Sequence, residues 1–172
     1  MHIVIAVVGL LTAGYLLIMR ARGAAEMTHE LMDVADDVRA AARRLGFRRV
    51  GPVHPVDAIE DANTAAATVA TAYMELHGLP TEDLRNRLSS ALQTSLEVDA
   101  SAAREMMVLG RWLMTECQGA APAVTRASRR LSKLTEGDVG PLMDILKAIS
   151  DDPLSDTQRE ALDDIKRAFR IR

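Results

Sequence analysis

The feature that most constrains this 172-residue chain is an apolar stretch without a charged residue, from Ile3 to Met19. As a helix it would be about 25 Å long, close to the ~30 Å hydrocarbon core of a bilayer. Residues 1–22 are therefore predicted to form a single transmembrane helix. Two alternatives remain open, a buried core helix and a signal peptide cleaved near Gly23. Only Met1 and His2 precede the stretch, whereas a signal peptide usually begins with positive charge.

Charge around this helix predicts its orientation. Arg20 and Arg22 follow the apolar stretch directly and no comparable charge precedes it. Positively charged flanks stay in the cytoplasm, so the N-terminus is expected outside and the C-terminal domain in the cytoplasm. The excess of Arg over Lys is typical of a GC-rich bacterial genome. Together these features predict a single-pass protein of a bacterial inner membrane.

Small residues within the predicted span indicate a packing face. Gly9, Ala13 and Gly14 lie at close helical spacing. Small side chains let two membrane helices approach closely. We expect this face to contact a partner's membrane helix, although small residues are also common in isolated spans.

Residues 23–47 continue as a predicted cytoplasmic stalk helix. Apolar residues recur there at alternating steps of four and three, which is a helical period, at Met27, Leu31, Val34, Val38, Ala41 and Leu45. Gly46 then stands where a helix C-terminal glycine is expected. Two prolines and a glycine follow in residues 48–56, which are predicted to form a linker.

Residues 57–172 are predicted to form an all-helical domain of about six helices. Aromatic residues make up only 3% of the chain, and no segment shows the alternating pattern of a strand. Helices are expected to start at Asp57 and Asp138. Helix-capping residues are expected at Thr81, Asp99 and Ser155, the last in a capping box with Gln158.

The turn before the last helix resembles a motif of the TerB-like family, the helical domain named after tellurite-resistance proteins. In the stretch from Ser150 to Gln158, the family pattern is matched by Asp151, Leu154 and Ser155. Asp152 replaces the family's glycine and Gln158 its acid. The earlier turn is more divergent, with His77 at the aspartate position and Gly78 retained. The resemblance implies a TerB-like helical bundle from about residue 57 to 169.

The resemblance also implies a candidate metal site, because some relatives bind cations through acids at these turns. Hard cations require several converging oxygen ligands. The carboxylates that this chain offers near the second turn are Asp151, Asp152, Asp156 and Glu160. The alternative is that they are solvated acids, which are favourable at helix N-termini without a metal.

Two basic clusters are candidate contacts for a partner protein or for anionic lipid. The first flanks Phe47 at the end of the stalk and comprises Arg43, Arg44, Arg48 and Arg49. The second lies opposite the apolar face of a later helix and comprises Arg126, Arg129, Arg130 and Lys133. A straight stalk would place the first cluster roughly 35 Å from the bilayer, which favours a protein partner there. A solvated helix face is the alternative for both clusters.

The sequence offers no pattern typical of an enzyme. Its histidines are scattered, Cys117 is the only cysteine, and no glycine-rich phosphate loop occurs. The net charge of −3 argues against a nucleic-acid partner, and no cofactor or small-molecule substrate is expected. We therefore expect an accessory or assembly subunit of an inner-membrane protein complex, respiratory or similar. The alternative is a membrane-bound metal or stress sensor that uses the acidic turns.

Overall fold

The structure, a computed structural model, describes residues 35–48, 51–150 and 153–171. The predicted transmembrane helix and the stalk as far as residue 34 lie outside these ranges. The chain divides into two units, Met1–Asp37 and Val38–Arg172. Within the described ranges, no helix has both the length and the apolar character needed to cross a bilayer.

The described residues form helices and connections without a strand, which confirms the predicted all-α class. Residues 35–44 are helical and are called α1 here. The later elements are a 3-10 turn at Pro55–Ala58, α2 at Ala62–Met74, a 3-10 turn at Glu75–His77, α3 at Glu82–Leu96, α4 at Ala100–Glu116, α5 at Ala120–Leu134, α6 at Gly140–Ile149 and α7 at Asp156–Phe169.

The centre of the domain is α2, which is surrounded by α3, α4, α5 and α6. Its residues from Thr64 to Met74 are all buried, as expected of a helix enclosed on every side. Most of them are Ala, Thr or Val, so neighbouring helices can pack close to its axis. The surrounding helices contribute larger apolar side chains to this core, including Leu88, Leu109, Leu113 and Ile145.

The start of α2 differs from the prediction. We expected a helix from Asp57, but Pro55–Ala58 form a 3-10 turn and α2 begins at Ala62. The carboxylate of Asp61 accepts hydrogen bonds from both the amide and the hydroxyl of Thr64, each at 2.7 Å. Asp61 therefore caps the helix, and the side chain of Asp57 is left available for another contact.

Two further helix starts are shifted. Pro122 was expected in the break between helices, yet it lies in the first turn of α5, where a backbone N–H has no intrahelical acceptor to lose. Asp138 was expected to start a helix, but α6 begins at Gly140. The Asp138 carboxylate accepts from the Gly140 amide at 2.9 Å, so it supports the first turn from outside.

Three predicted caps are confirmed. The Thr81 hydroxyl accepts from the Leu84 amide at 3.2 Å, and Asp99 accepts from the first turn of α4. Ser155 and Gln158 form the reciprocal capping box at the start of α7.

Gly46 ends α1, as predicted. Its φ is +68°, and the Phe47 amide donates to the Ala42 carbonyl at 2.8 Å, the bond that defines a Schellman motif. Phe47 then packs edge-on against Trp112 of α4, with ring centroids 5.9 Å apart. Arg44 forms an ion pair with Glu105 of α4. The end of α1 is thereby joined to the domain by both apolar and charged contacts.

Candidate anion-binding groove

A groove with a volume of about 910 Å³ runs along α5. One wall comes from the linker before α2 and the other from the end of α4. The lining residues outside α5 are His54, Asp57, Glu116, Cys117 and Gln118. Those on α5 are Pro122, Thr125, Arg126, Arg129, Arg130 and Lys133. We call this feature the α5 groove.

Helical periodicity places the four cationic side chains of the groove on one side of α5. The buried residues of this helix are Ala123, Val124, Ala127, Ser128 and Leu131. Their burial turns positions 126, 129, 130 and 133 away from the core, because residues three and four apart share a helix face. The cations therefore occupy about two helical turns, or roughly 10 Å along the axis.

Arg126 is held in place by Asp57. Its Nε donates to Asp57 Oδ1 at 3.2 Å and its Nη2 to Asp57 Oδ2 at 2.5 Å, an arrangement with high geometric specificity. The hydrogen bonds from Arg126 lower the pKa of the Asp57 carboxyl group, while partial burial acts in the opposite direction. The same contact raises the pKa of Arg126. At neutral pH Asp57 is thus ionised, and Arg126 engages both of its carboxylate oxygens.

Arg130 is held by the backbone instead of by an acid. Its Nε donates to the carbonyl oxygen of Ile59 at 2.5 Å, and Ile59 is buried. This bond uses one of the five guanidinium N–H groups. The two terminal amino groups remain as a positioned fork, the geometry that binds carboxylate or phosphate in a bidentate manner.

Arg129 and Lys133 are exposed at the rim of the groove. Within the described part of the chain, neither side chain forms an ion pair or hydrogen bond. Arg129 and Lys133 lie one helical turn apart, and both are next to the two anchored arginines, Arg126 and Arg130. The rim therefore presents two cations that are available to an external anion.

His54 connects the two walls. Its Nδ1 accepts from the Val56 amide and its Nε2 lies 3.3 Å from the carbonyl oxygen of Glu116. Since an amide can only donate and a carbonyl can only accept, these contacts give Nδ1 the acceptor role and Nε2 the donor role. Cys117, next to Glu116, is buried, and burial raises the pKa of its thiol. A thiolate at this position is therefore disfavoured, in agreement with a structural role for Cys117.

The net charge of the groove is positive. Arg126, Arg129, Arg130 and Lys133 supply four positive charges, against two negative charges from Asp57 and Glu116, which leaves an excess of two. Asp57 is paired with Arg126, so the excess lies mainly along Arg129, Arg130 and Lys133. Two cations at the rim and one fork below them form a surface that attracts anions.

No family model, curated protein or solved structure matches this chain. The resemblance to TerB-like domains therefore remains a prediction from the sequence motif. The site must be interpreted from its own geometry.

The structure distributes the sequence-predicted basic residues between two regions. It places Arg126 and Arg130 together in the α5 groove. Arg43 and Arg48 are exposed near the end of α1, whereas Arg44 is paired with Glu105. Arg49 lies outside the described residues, as do the predicted membrane-packing residues Gly9, Ala13 and Gly14.

The candidate metal site is only partly described. Asp151 and Asp152 lie outside the described ranges, and Glu160 is exposed. Asp156 forms an ion pair with Arg159 at 2.5 Å. Among the residues that the structure describes, no three His, Cys, Asp or Glu side chains are grouped as metal ligands would be. Metal binding by the acidic turn stays a prediction.

Sequence reasoning missed the residues that complete the α5 groove. Asp57 is 69 positions from Arg126, and Ile59 is 71 positions from Arg130. Nothing in the local pattern identified either as a partner. No sequence signal could have found these contacts, because only the structure shows that Asp61, and not Asp57, caps α2.

Proposed function

We propose that this protein is a non-catalytic, membrane-anchored interaction module that docks an anionic surface of a partner protein in the α5 groove. In this proposal it is an accessory or assembly subunit of an inner-membrane complex, with its helical domain in the cytoplasm. The observation that carries the proposal is the contrast between the anchored arginines and the unpaired rim. Arg126 and Arg130 have fixed partners, whereas no acid of the described chain pairs with Arg129 or Lys133.

Repulsion between the cationic side chains of α5 supports this interpretation. Like charges at i, i+4 destabilise a helix by about 0.2–0.5 kcal/mol per pair, and α5 carries two such pairs, Arg126–Arg130 and Arg129–Lys133. Only Arg126 is neutralised by an acid within the groove. A bound anion would relieve the remaining repulsion. Complementary charge also accelerates association and disfavours wrong partners.

The anchor belongs to the same proposal on sequence grounds. The apolar stretch from Ile3 to Met19 would hold the domain at the membrane, so that the groove meets its partner at a high effective concentration. Gly9 and Ala13 would add a contact within the bilayer. Arg43 and Arg48, which are exposed near the end of α1, are available for a second contact with the same partner.

Co-purification from native membranes tests the proposal. The full-length chain, tagged at its C-terminus, is extracted in mild detergent and its partners are identified by mass spectrometry. We expect the double variant Arg129→Gln and Lys133→Gln to lose most of the recovered membrane partner. The matched control is Arg104→Gln with Lys147→Gln, which removes one exposed arginine and one exposed lysine from α4 and α6. Equal recovery with both double variants would refute the groove as the docking surface.

A further inference from the structure

We infer that the partner of the α5 groove is an acidic α-helix whose carboxylates lie on one face at i, i+4 spacing. This inference rests on the proposed function and specifies the chemistry of the docked surface. It follows from three properties of the groove, namely its dimensions, the spacing of its cations and the way its arginines are held.

The dimensions suit about two turns of helix. The cations extend from Arg126 to Lys133, seven residues of α5 or about 10 Å. A two-turn helix with its side chains is about 10 Å long and 10 Å wide, so it can lie alongside the whole row of cations. A single inorganic anion would contact only a part of this row. The size therefore favours a polypeptide element.

The cation spacing matches carboxylates on a neighbouring helix. Arg126 and Arg130 are four residues apart and form an inner row. Arg129 and Lys133 are also four residues apart and form an outer row. Residues at i, i+4 on any helix are separated by about 6 Å, so two helices side by side place such pairs opposite each other. Docking an amphipathic helix in a groove is an established mode of peptide recognition.

The fixed arginines provide selectivity beyond net charge. Asp57 and the Ile59 carbonyl hold Arg126 and Arg130 in single positions. Asp57 already occupies Arg126, so the free fork is that of Arg130. This held fork binds a carboxylate at one location and loses little side-chain entropy on binding. The groove should therefore distinguish between anionic surfaces with the same charge and different spacing.

A flat bilayer fits the same geometry less well. Arg130 is half-buried and Arg126 is paired with Asp57, whereas Arg129 and Lys133 are exposed. A planar headgroup layer would contact mainly the two exposed cations and not the half-buried fork of Arg130. Two exposed cations supply only about 1 kcal/mol each near an anionic surface. We therefore assign the groove to an acidic helix, with the lipid headgroup as an outcome of the test.

Two synthetic peptides of identical composition test the inference. Each is about 16 residues long so that it has appreciable helicity. In the one-face peptide the glutamates repeat at i, i+4 and i+7, and in the dispersed peptide they are spread around the helix. Fluorescence anisotropy measures binding to the full-length chain in nonionic detergent. We expect the one-face peptide to bind at least about fivefold more tightly, and Arg129→Gln with Lys133→Gln to remove about fivefold to tenfold of that affinity.

A charge-conserving variant separates positioned recognition from simple attraction. Arg130→Lys keeps the positive charge and removes the fork held by Ile59. We expect it to reduce the preference for the one-face peptide to below about twofold, whereas Arg104→Lys leaves the preference unchanged. Circular dichroism of each variant verifies the helical fold, and if Arg130→Lys fails to fold, Arg130→Gln, which also removes the fork, is tested for the same ratio of peptide affinities.

Three results would overturn the acidic-helix assignment. They are equal binding of the two peptides, an unchanged preference in Arg130→Lys, and tighter binding of glycerol phosphate than of the one-face peptide at the same ionic strength. The last result would identify a phospholipid headgroup or free phosphate ester as the ligand. If these occur while the membrane co-purification still depends on Arg129 and Lys133, the proposed function stands and only the nature of the docked surface changes.

Discussion

Gly110 of α4 lies directly against Thr71 of the central helix α2. A Cβ atom at Gly110 would stand 3.1 Å from the Thr71 hydroxyl oxygen and 3.3 Å from the Cα atom of Thr68. The second of these neighbours is backbone and cannot rotate away. The glycine therefore sets the distance between the two helices at this crossing.

Replacing Gly110 by Val should destabilise the domain by about 2–3 kcal/mol, because a branched side chain forces α4 away from α2. Urea unfolding followed by the fluorescence of Trp112, the only tryptophan, measures the free energy. Ala148→Val on the exposed side of α6 is the control for a valine in an uncrowded helix, where it costs roughly 0.6 kcal/mol relative to alanine. At position 110 helix propensity alone slightly favours valine over glycine, so a Gly110→Val variant as stable as the wild type would show that the crossing tolerates a larger separation.

The ion pair between Asp57 and Arg126 predicts a specific pH dependence of stability. Arg126 lowers the pKa of Asp57 below its ordinary value in the folded state, so the contact stabilises the fold fully at pH values well above that ordinary value and loses this effect as the pH falls through the lowered one. Both side chains are partly exposed, which limits the contribution to about 0.2–1 kcal/mol.

We expect Arg126→Gln to lower the free energy of unfolding at pH 7 by this amount, and the difference from the wild type to shrink towards pH 3. Arg129→Gln is the matched control, since Arg129 has no acid partner in the described ranges, and it should show no such convergence. A wild-type advantage over Arg126→Gln that stays constant from pH 7 to pH 3 would contradict the assigned contact.

Whether the sequence predicts a contact in this structure depends on how far apart the two residues lie along the chain. The caps at Thr81, Asp99 and Ser155 were predictable because the capping side chain and the amide that donates to it lie within three residues. At the start of α2 two aspartates competed, and the choice of Asp61 over Asp57 was not predictable. It depends on Arg126, which lies on another helix and occupies the carboxylate of Asp57.

The same distinction applies to the α5 groove. Helical spacing alone is enough to place Arg126 and Arg130 on one face of a helix. What makes them a site is the wall opposite, where Asp57 and the Ile59 carbonyl hold them. A backbone carbonyl has no sequence signature, so this anchor could only be found from the fold.

The capping box of α7 should contribute measurably to stability. Ser155→Ala removes the hydroxyl that accepts from the Gln158 amide at 3.1 Å, at an expected cost of about 1 kcal/mol. Ser101→Ala on the exposed first turn of α4 is the control and should be nearly neutral. Because α7 packs against α5, the loss should appear in the cooperative unfolding transition recorded at Trp112. A separate early transition, visible only by circular dichroism, would instead show that α7 unfolds independently.

The residues that follow α1 and α3 lead to predictions of opposite sign for stability. Glu97, which follows α3, has a φ of +53° although it carries a side chain, and Gly46, which follows α1, has a φ of +68°. The left-handed conformation costs most residues about 1–2 kcal/mol and glycine very little. Glu97 is exposed, so its replacement removes strain without loss of packing. We expect Glu97→Gly to stabilise the domain by about 0.5–1 kcal/mol, and Gly46→Ala to destabilise it by about 1 kcal/mol, with nothing within 4 Å of an added Cβ to offset the strain. Urea unfolding of both variants provides the measurement.

Since glycine also makes the unfolded chain more flexible, the stability of Glu97→Gly reports the relief of strain minus an entropic loss. A Glu97→Gly variant destabilised by the whole of this entropic loss, about 0.4–1 kcal/mol, would mean that the left-handed conformation is not strained at this position.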